Sequence, residues 1–176
     1  FWFPAALLAV SAAAMQGDAP DDAPVPPSDP EILGQGSVSK PDRHEFCSTM
    51  SRDRRTIYIG IEHGEWQSME AYRWDDAAWT GPHQAYGTPE YTAQDPYLSD
   101  DERRLYFITR AQGSADIAYL TRDEGGEWGD PVLFEAPING PRNDYFVSIT
   151  DTGEVFWSSD RAMDAGGYDI YSANLS

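Results

Sequence analysis

The residues able to do chemistry recur at regular distances along the chain. Glu45, Asp95 and Asp144 each stand just before an apolar run, and Arg110/Asp116 and Arg161/Asp169 each bracket a polar break. Carboxylates and guanidinium groups so placed could serve proton transfer, or could simply pair neighbouring strands. A catalytic group is needed once, whereas these return at the same place in successive stretches. The expectation is that they are structural, bonding turn amides and linking strands. His44, His63 and His83 lack metal-ligand spacing, which favours loop positions over a zinc site. The acidic clusters Asp75–Asp76 and Asp100–Glu102 match no twelve-residue calcium loop with its Gly and closing Glu. No Gly-x-Ser-x-Gly elbow, phosphate loop or His-Glu-x-x-His helix occurs. Cys47, the single cysteine, cannot form an intrachain disulfide and reads as a small buried apolar side chain. The sequence therefore predicts no catalytic residue, no metal and no cofactor.

The recurrence points to the elements beneath it. "HEFCSTMSRDRRTIYIGI" (44–61) matches "QDPYLSDDERRLYFIT" (94–109), with Ser51/Ser99, Ile57/Leu105 and Tyr58/Tyr106 all at an offset of 48. "WTGP" (79–82) and "WGDP" (128–131) share an offset of 49, and "NDYFVSITDTGEVFWSSDR" repeats the pattern with one turn residue fewer. In the middle copy four strands are predicted, at 96–99, 104–109, 116–121 and 128–134, separated by "DDE", "AQGS" and "EGG". The second strand of each copy ("IYIGI", "LYFI", "VFW") is apolar throughout, as a strand buried on both sheet faces must be. Four antiparallel strands every 48–51 residues, each sheet covered on both faces, is the pattern of stacked propeller blades.

The stretch "YLSDDERRLYFITR…DIAYLTRDEGGEWGDPVLFEAPING" resembles the repeat of TolB-like, WD-repeat-like β-propellers, whose blades read Pro-x-Phe-Ser-x-Asp-Gly-x-x-Leu-Tyr-Phe, then Arg, Asp-Ile-Tyr and Trp-x-x-Pro. The third copy fits best, keeping Asp151, Gly153, Phe156, Ser159, Asp160, Arg161, Asp169, Ile170 and Tyr171. The resemblance implies an all-β chain, a β-propeller fragment of four-stranded antiparallel blades belonging to a six-bladed ring. Blades are expected at about 44–90, 94–140 and 143–176 within a folded part spanning 31–176. The first copy departs from the pattern, with Glu62 and Glu70 where the others carry Arg and Asp. "TRDEGGEW" (121–128) is similar to the Asp-box hairpin of sialidase-type propellers, which implies a structural turn built on Asp123, Gly125 and Trp128 and no sialidase activity. "PEILGQGSVSKPDRHEF" (30–46) resembles "FEAPINGPRNDYF" (134–146), so Ile32 and its neighbours are expected to supply an outer strand that closes the ring.

Composition bounds the partners. Thirty acidic against twelve basic residues give a formal charge of −18, a field that repels phosphate backbones and anionic membranes. "FWFPAALLAVSAAAM" looks like the apolar core and small-residue cleavage region of a secretory signal, a remnant assigned to 1–14. It is shorter than the roughly 20 residues of a membrane span. The Pro/Asp-rich stretch 15–30 reads as a disordered spacer. The expected function is an exported, non-catalytic scaffold, periplasmic or extracellular, that binds a protein or an envelope ligand, with no nucleic acid, no stable membrane insertion and self-association as an option. Two alternatives stand beside it. One is the propeller of a prolyl-oligopeptidase-like serine peptidase whose catalytic domain lies outside the chain. The other is a glycan-binding propeller, hinted at by Trp66 and Trp74.

Overall fold

A computed structural model describes residues 29–162 and 167–175, the side chains of Gln84 and Ala85 excepted. The apolar run 1–14 and the spacer up to residue 28 lie outside the described residues. Among the described residues, eleven strands form three antiparallel sheets. The first holds β1 (His44–Met50), β2 (Thr56–Glu62), β3 (Gln67–Trp74) and β4 (Trp79–Tyr86) in that order. The second holds β5 (Gln94–Leu98), β6 (Arg104–Thr109), β7 (Asp116–Thr121) and β8 (Val132–Leu133). The third holds β9 (Asp144–Ile149), β10 (Glu154–Ser159) and β11 (Asp169–Asn174). Each sheet is a meander of neighbouring strands, and the three are blades of a β-propeller. β8 is shorter than the sequence predicts. Its ladder holds at Gly129 N–H to the Thr121 carbonyl (2.9 Å) and at Phe134 N–H to the Ile117 carbonyl (3.1 Å), but Pro131 between them has no N–H to offer.

The repeat is kept down to single hydrogen bonds at the turn from the first strand to the second. Ser51 Oγ donates to Asp53 and accepts from Thr56 N–H (2.6 and 2.9 Å), and Ser99 does the same with Asp101 and Arg104 (2.6 and 2.9 Å). In the shorter third turn Thr150 Oγ1 accepts from Glu154 N–H at 3.0 Å. Each turn needs one left-handed residue, filled by Arg54 (φ 60°), Glu102 (φ 57°) and Gly153 (φ 84°).

The blades stack through their second and third strands. Tyr58, Met69 and Ala71 of the first pack against Leu98, Leu105, Phe107, Ala118 and Leu120 of the second. The other face of the second blade sets Tyr106, Ile108 and Ile117 against Val147, Val155 and Trp157 of the third. Both faces of β6 are thus consumed, which explains its unbroken apolar run; Leu105, Phe107 and Ile108 are all essentially inaccessible. At about 25 cal/mol per Å² of apolar surface removed from water, each such side chain contributes roughly 2 kcal/mol.

The link into each blade also repeats. Ile32 is exposed and joins no strand; the segment after it turns at Gly34 and buries Val38 against Ile57, Ile59, Ile61 and Tyr72. Ile138 does the equivalent work ahead of the third blade. The likeness between 30–46 and 134–146 therefore encodes a capping turn under the first strand.

Candidate binding face of the inner strands

The register of each blade sorts the recurring polar residues into two groups. Glu45 lies opposite Ile61 and Asp144 opposite Ser159, positions that correspond in their blades. Both carboxylates hold the capping link. Asp144 is fully buried and accepts from Gly140 N–H (2.8 Å), Trp157 Nε1 (3.0 Å) and Arg161 Nη2 (2.6 Å). Arg161 also donates to the carbonyls of Pro137 and Ile138 and to Ser159 Oγ, and its guanidinium lies over Trp157 and Tyr171. The first blade has no arginine after its second strand and takes one from the link. Arg43 bonds Glu45, Glu70, the Tyr72 hydroxyl and the Val38 carbonyl. Burial works against the charge on Glu45, but the Lys40 N–H and Arg43 outweigh it and hold its carboxyl below the usual range.

Asp116 faces Thr109 in the ladder, is buried, and is bonded by Ser114 Oγ at 3.2 Å; burial and then the nearby Asp144 push its carboxyl upward. Asp169 occupies the corresponding rung opposite Ser159. In the first blade that rung holds Ser68, not Glu70. Arg110 reaches the Tyr145 hydroxyl in the next blade. Asp123 closes its own hairpin, accepting from Glu127 N–H at 2.9 Å. Trp128 donates to the Tyr58 hydroxyl of the first blade at 3.1 Å and lies under the Arg122 guanidinium. Trp66 stacks on His63 and Trp74 tilts against Trp79, so both are half-buried within their own hairpins.

Asp95 belongs to the other group. Every first strand carries a bulge, and the register puts Cys47, Asp95 and Phe146 at the same place in it. All three adopt left-handed backbone, with φ of 45°, 54° and 54°, a conformation that disfavours any side chain but is kept in each blade. The backbone device repeats and the side chains do not: a thiol, a carboxylate and a phenyl ring. Inner strands of successive blades lie side by side, so these residues form a row. Cys47 Sγ donates to Asp95 Oδ1 at 2.7 Å. Phe146 is 66% exposed, with its ring 5.7 Å from that of Tyr145, which in turn meets the exposed Tyr168 at 5.7 Å.

Cys47 is exposed where the sequence suggested burial; partial burial of its sulfur, followed by Asp95, still pushes the thiol up to about 12, so it is no thiolate nucleophile at neutral pH. Burial also raises Tyr145, whose hydroxyl accepts from Arg110 and keeps its own proton to donate. Among the described residues, no group of three or more His, Cys, Asp or Glu is placed to hold a metal ion. A cavity of about 640 Å³ lies at the other end of the strands, among the turns of the three blades. Its charges, Arg52, Arg103 and Arg104 against Asp100, Asp101 and Asp151, are balanced.

Sequence reasoning missed Phe146, Tyr145 and Tyr168 because they do not recur. The signal was their failure to match: aligned by blade, "FC", "QD" and "YF" stand at 46–47, 94–95 and 145–146.

No family model matches the chain, and no curated protein does. Among solved structures the chain is similar to the GH43 endo-arabinanase from Bacillus licheniformis, at 12% identity and a TM-score of 0.42. The overlap covers 72% of this chain and 51% of that one, so the chain spans about half that protein's length. At such identity and overlap the likeness bears on neither activity nor substrate.

Proposed function

We propose that the chain is the recognition part of a β-propeller, binding a ligand along the bulge row of its inner strands and performing no chemistry of its own. The observation that carries this reading is the row itself. Strained backbone is retained at three equivalent positions, yet Cys47, Asp95 and Phe146 share no structural role that would require it. Glu45 and Asp144 with their arginines hold links, and the one thiol is held protonated. The resemblance of the repeat to TolB-like propellers supports a protein partner, and exposed Phe146 and Tyr168 would equally suit stacking on a sugar. The apolar run 1–14 supports export to the periplasm or cell surface.

The test is an array of basic, acidic and neutral peptides together with neutral oligosaccharides, probed with the parent protein and with the Asp95→Ala/Phe146→Ala variant. Binding that disappears in the variant at unchanged melting temperature supports the reading. Binding that survives both substitutions removes the row from the site.

A further inference from the structure

Resting on that reading, we infer that the ligand of the bulge row is cationic: a segment of a partner protein that presents lysine or arginine side chains. Three observations converge. The first is the aromatic cluster. Tyr145, with Phe146 and Tyr168 each at 5.7 Å, offers several ring faces, and Phe146 and Tyr168 remain more than half exposed. Ring faces attract cations most where water is partly excluded, and groups of three rings are the usual cage for alkylated ammonium ions. The second is that one of these rings already takes a cation. The Arg110 guanidinium sits 5.7 Å from the Tyr145 centroid, on a side chain from the neighbouring blade. An incoming cation therefore meets Phe146 and Tyr168, the faces that Arg110 leaves open.

The third is the sign of the global field, with two carboxylates near the rings. Asp95 and Asp160 both lie close enough to act on the Tyr145 hydroxyl, beside Arg110, whose effect on it is the larger. Arg43, Arg52, Arg55, Arg122 and Arg161, five of the twelve basic residues, are each paired with a carboxylate. All twelve basic residues and 26 of the 30 acidic ones fall in 31–176, so the excess charge is carried by the blades themselves. Such a field speeds the approach of a basic partner and retards an acidic one. A neutral sugar would gain from the rings but nothing from the charge. The carboxylate in the row, Asp95, also has acceptor capacity beyond its bonds from Cys47 and Gln94, which an ammonium or guanidinium group can use.

The experiment is isothermal titration of the chain with three probes: a pentalysine peptide, the same peptide acetylated on every Nε, and maltopentaose. The proteins are the parent, Phe146→Ala, Phe146→Tyr and Asp95→Asn, each with its melting temperature recorded. The expected result is binding of pentalysine, at least tenfold weakening on acetylation, and at least tenfold weakening in Phe146→Ala at unchanged melting temperature. Phe146→Tyr keeps the ring and retains the affinity, and Asp95→Asn weakens binding several-fold. Equal affinity for the acetylated peptide overturns the cationic class, while sensitivity to Phe146→Ala in that case leaves the site standing. Binding of maltopentaose alone, lost in Phe146→Ala, has the same meaning. Pentalysine binding that no substitution in the row alters is attraction to diffuse charge and overturns both the class and the site. Absence of binding by all three probes overturns the inference.

Discussion

Replacing Arg161 by alanine tests the idea that the recurring arginines and carboxylates are the framework of the blades. Asp144 has no accessible surface, and Arg161 is its ionic partner at 2.6 Å with 23% of its side chain exposed. Removing one member of a buried pair typically costs about 3–5 kcal/mol, because the other is left charged and uncompensated. The partial exposure of Arg161 lets water reach the gap, which places the expected loss at about 3 kcal/mol, the low end of that range. With a urea m-value of about 2 kcal/mol/M, the unfolding midpoint should fall by about 1.5 M. The assay is urea denaturation followed by tryptophan fluorescence, since Trp157 donates to the same carboxylate. Arg55→Ala is the control: its pair with Asp76 is open to water, and the midpoint should not move measurably. A double-mutant cycle of Arg161→Ala with Asp144→Asn should give a coupling of at least about 1.5 kcal/mol. A midpoint shift in Arg161→Ala under about 0.3 M would refute the framework role.

Other expectations follow from the same geometry. Cys47 is exposed yet held protonated, with its thiol near 12, so iodoacetamide at pH 8 should modify it at least tenfold more slowly than a free cysteine. Asp95→Asn should speed that reaction, because it removes the negative charge that opposes the thiolate. Asp116 is an acid whose carboxyl is raised in the folded state, so it favours folding while protonated at low pH and progressively loses that contribution as pH rises from its unfolded value through its folded one. Asp116→Asn should therefore be no less stable than the parent at pH 7 and relatively less favourable at pH 3, read from urea midpoints at both. Arg54→Gly should stabilise by about 0.5 kcal/mol, since it relieves a left-handed residue where the third blade already has Gly153, at some cost in glycine entropy. If the apolar run 1–14 directs export, N-terminal sequencing of material secreted by a bacterial host should show cleavage near Ala13 or Ala14.

The blades were legible because they repeat: Ser51/Ser99 and Tyr58/Tyr106 stand in equivalent places, and the apolar run of β6 foretold burial on both faces. The recurrence also carried information it could not sort. Asp95 looks like Glu45 and Asp144 because all three are acidic and precede a strand, but the bulge puts Asp95 two residues further along, in line with Cys47 and Phe146. Bulge position depends on pairing across the ladder, which a single strand's sequence does not contain. Arg43 was hidden for a related reason. The first blade satisfies Glu45 with a guanidinium from the link in place of one after the second strand, so the interaction survives while the sequence position changes. The shortening of β8 was written in Pro131, whose missing N–H outweighs the apolar residues after it.

If the bulge row forms one ligand-binding face, its residues must respond to a ligand together. Amide chemical-shift mapping of the labelled chain during titration with pentalysine tests it most directly. The largest changes should fall on Cys47, Asp95, Phe146 and Tyr168 and saturate together. Changes centred on the turns at 99–104 and 150–153, at the other end of the same strands, would contradict it.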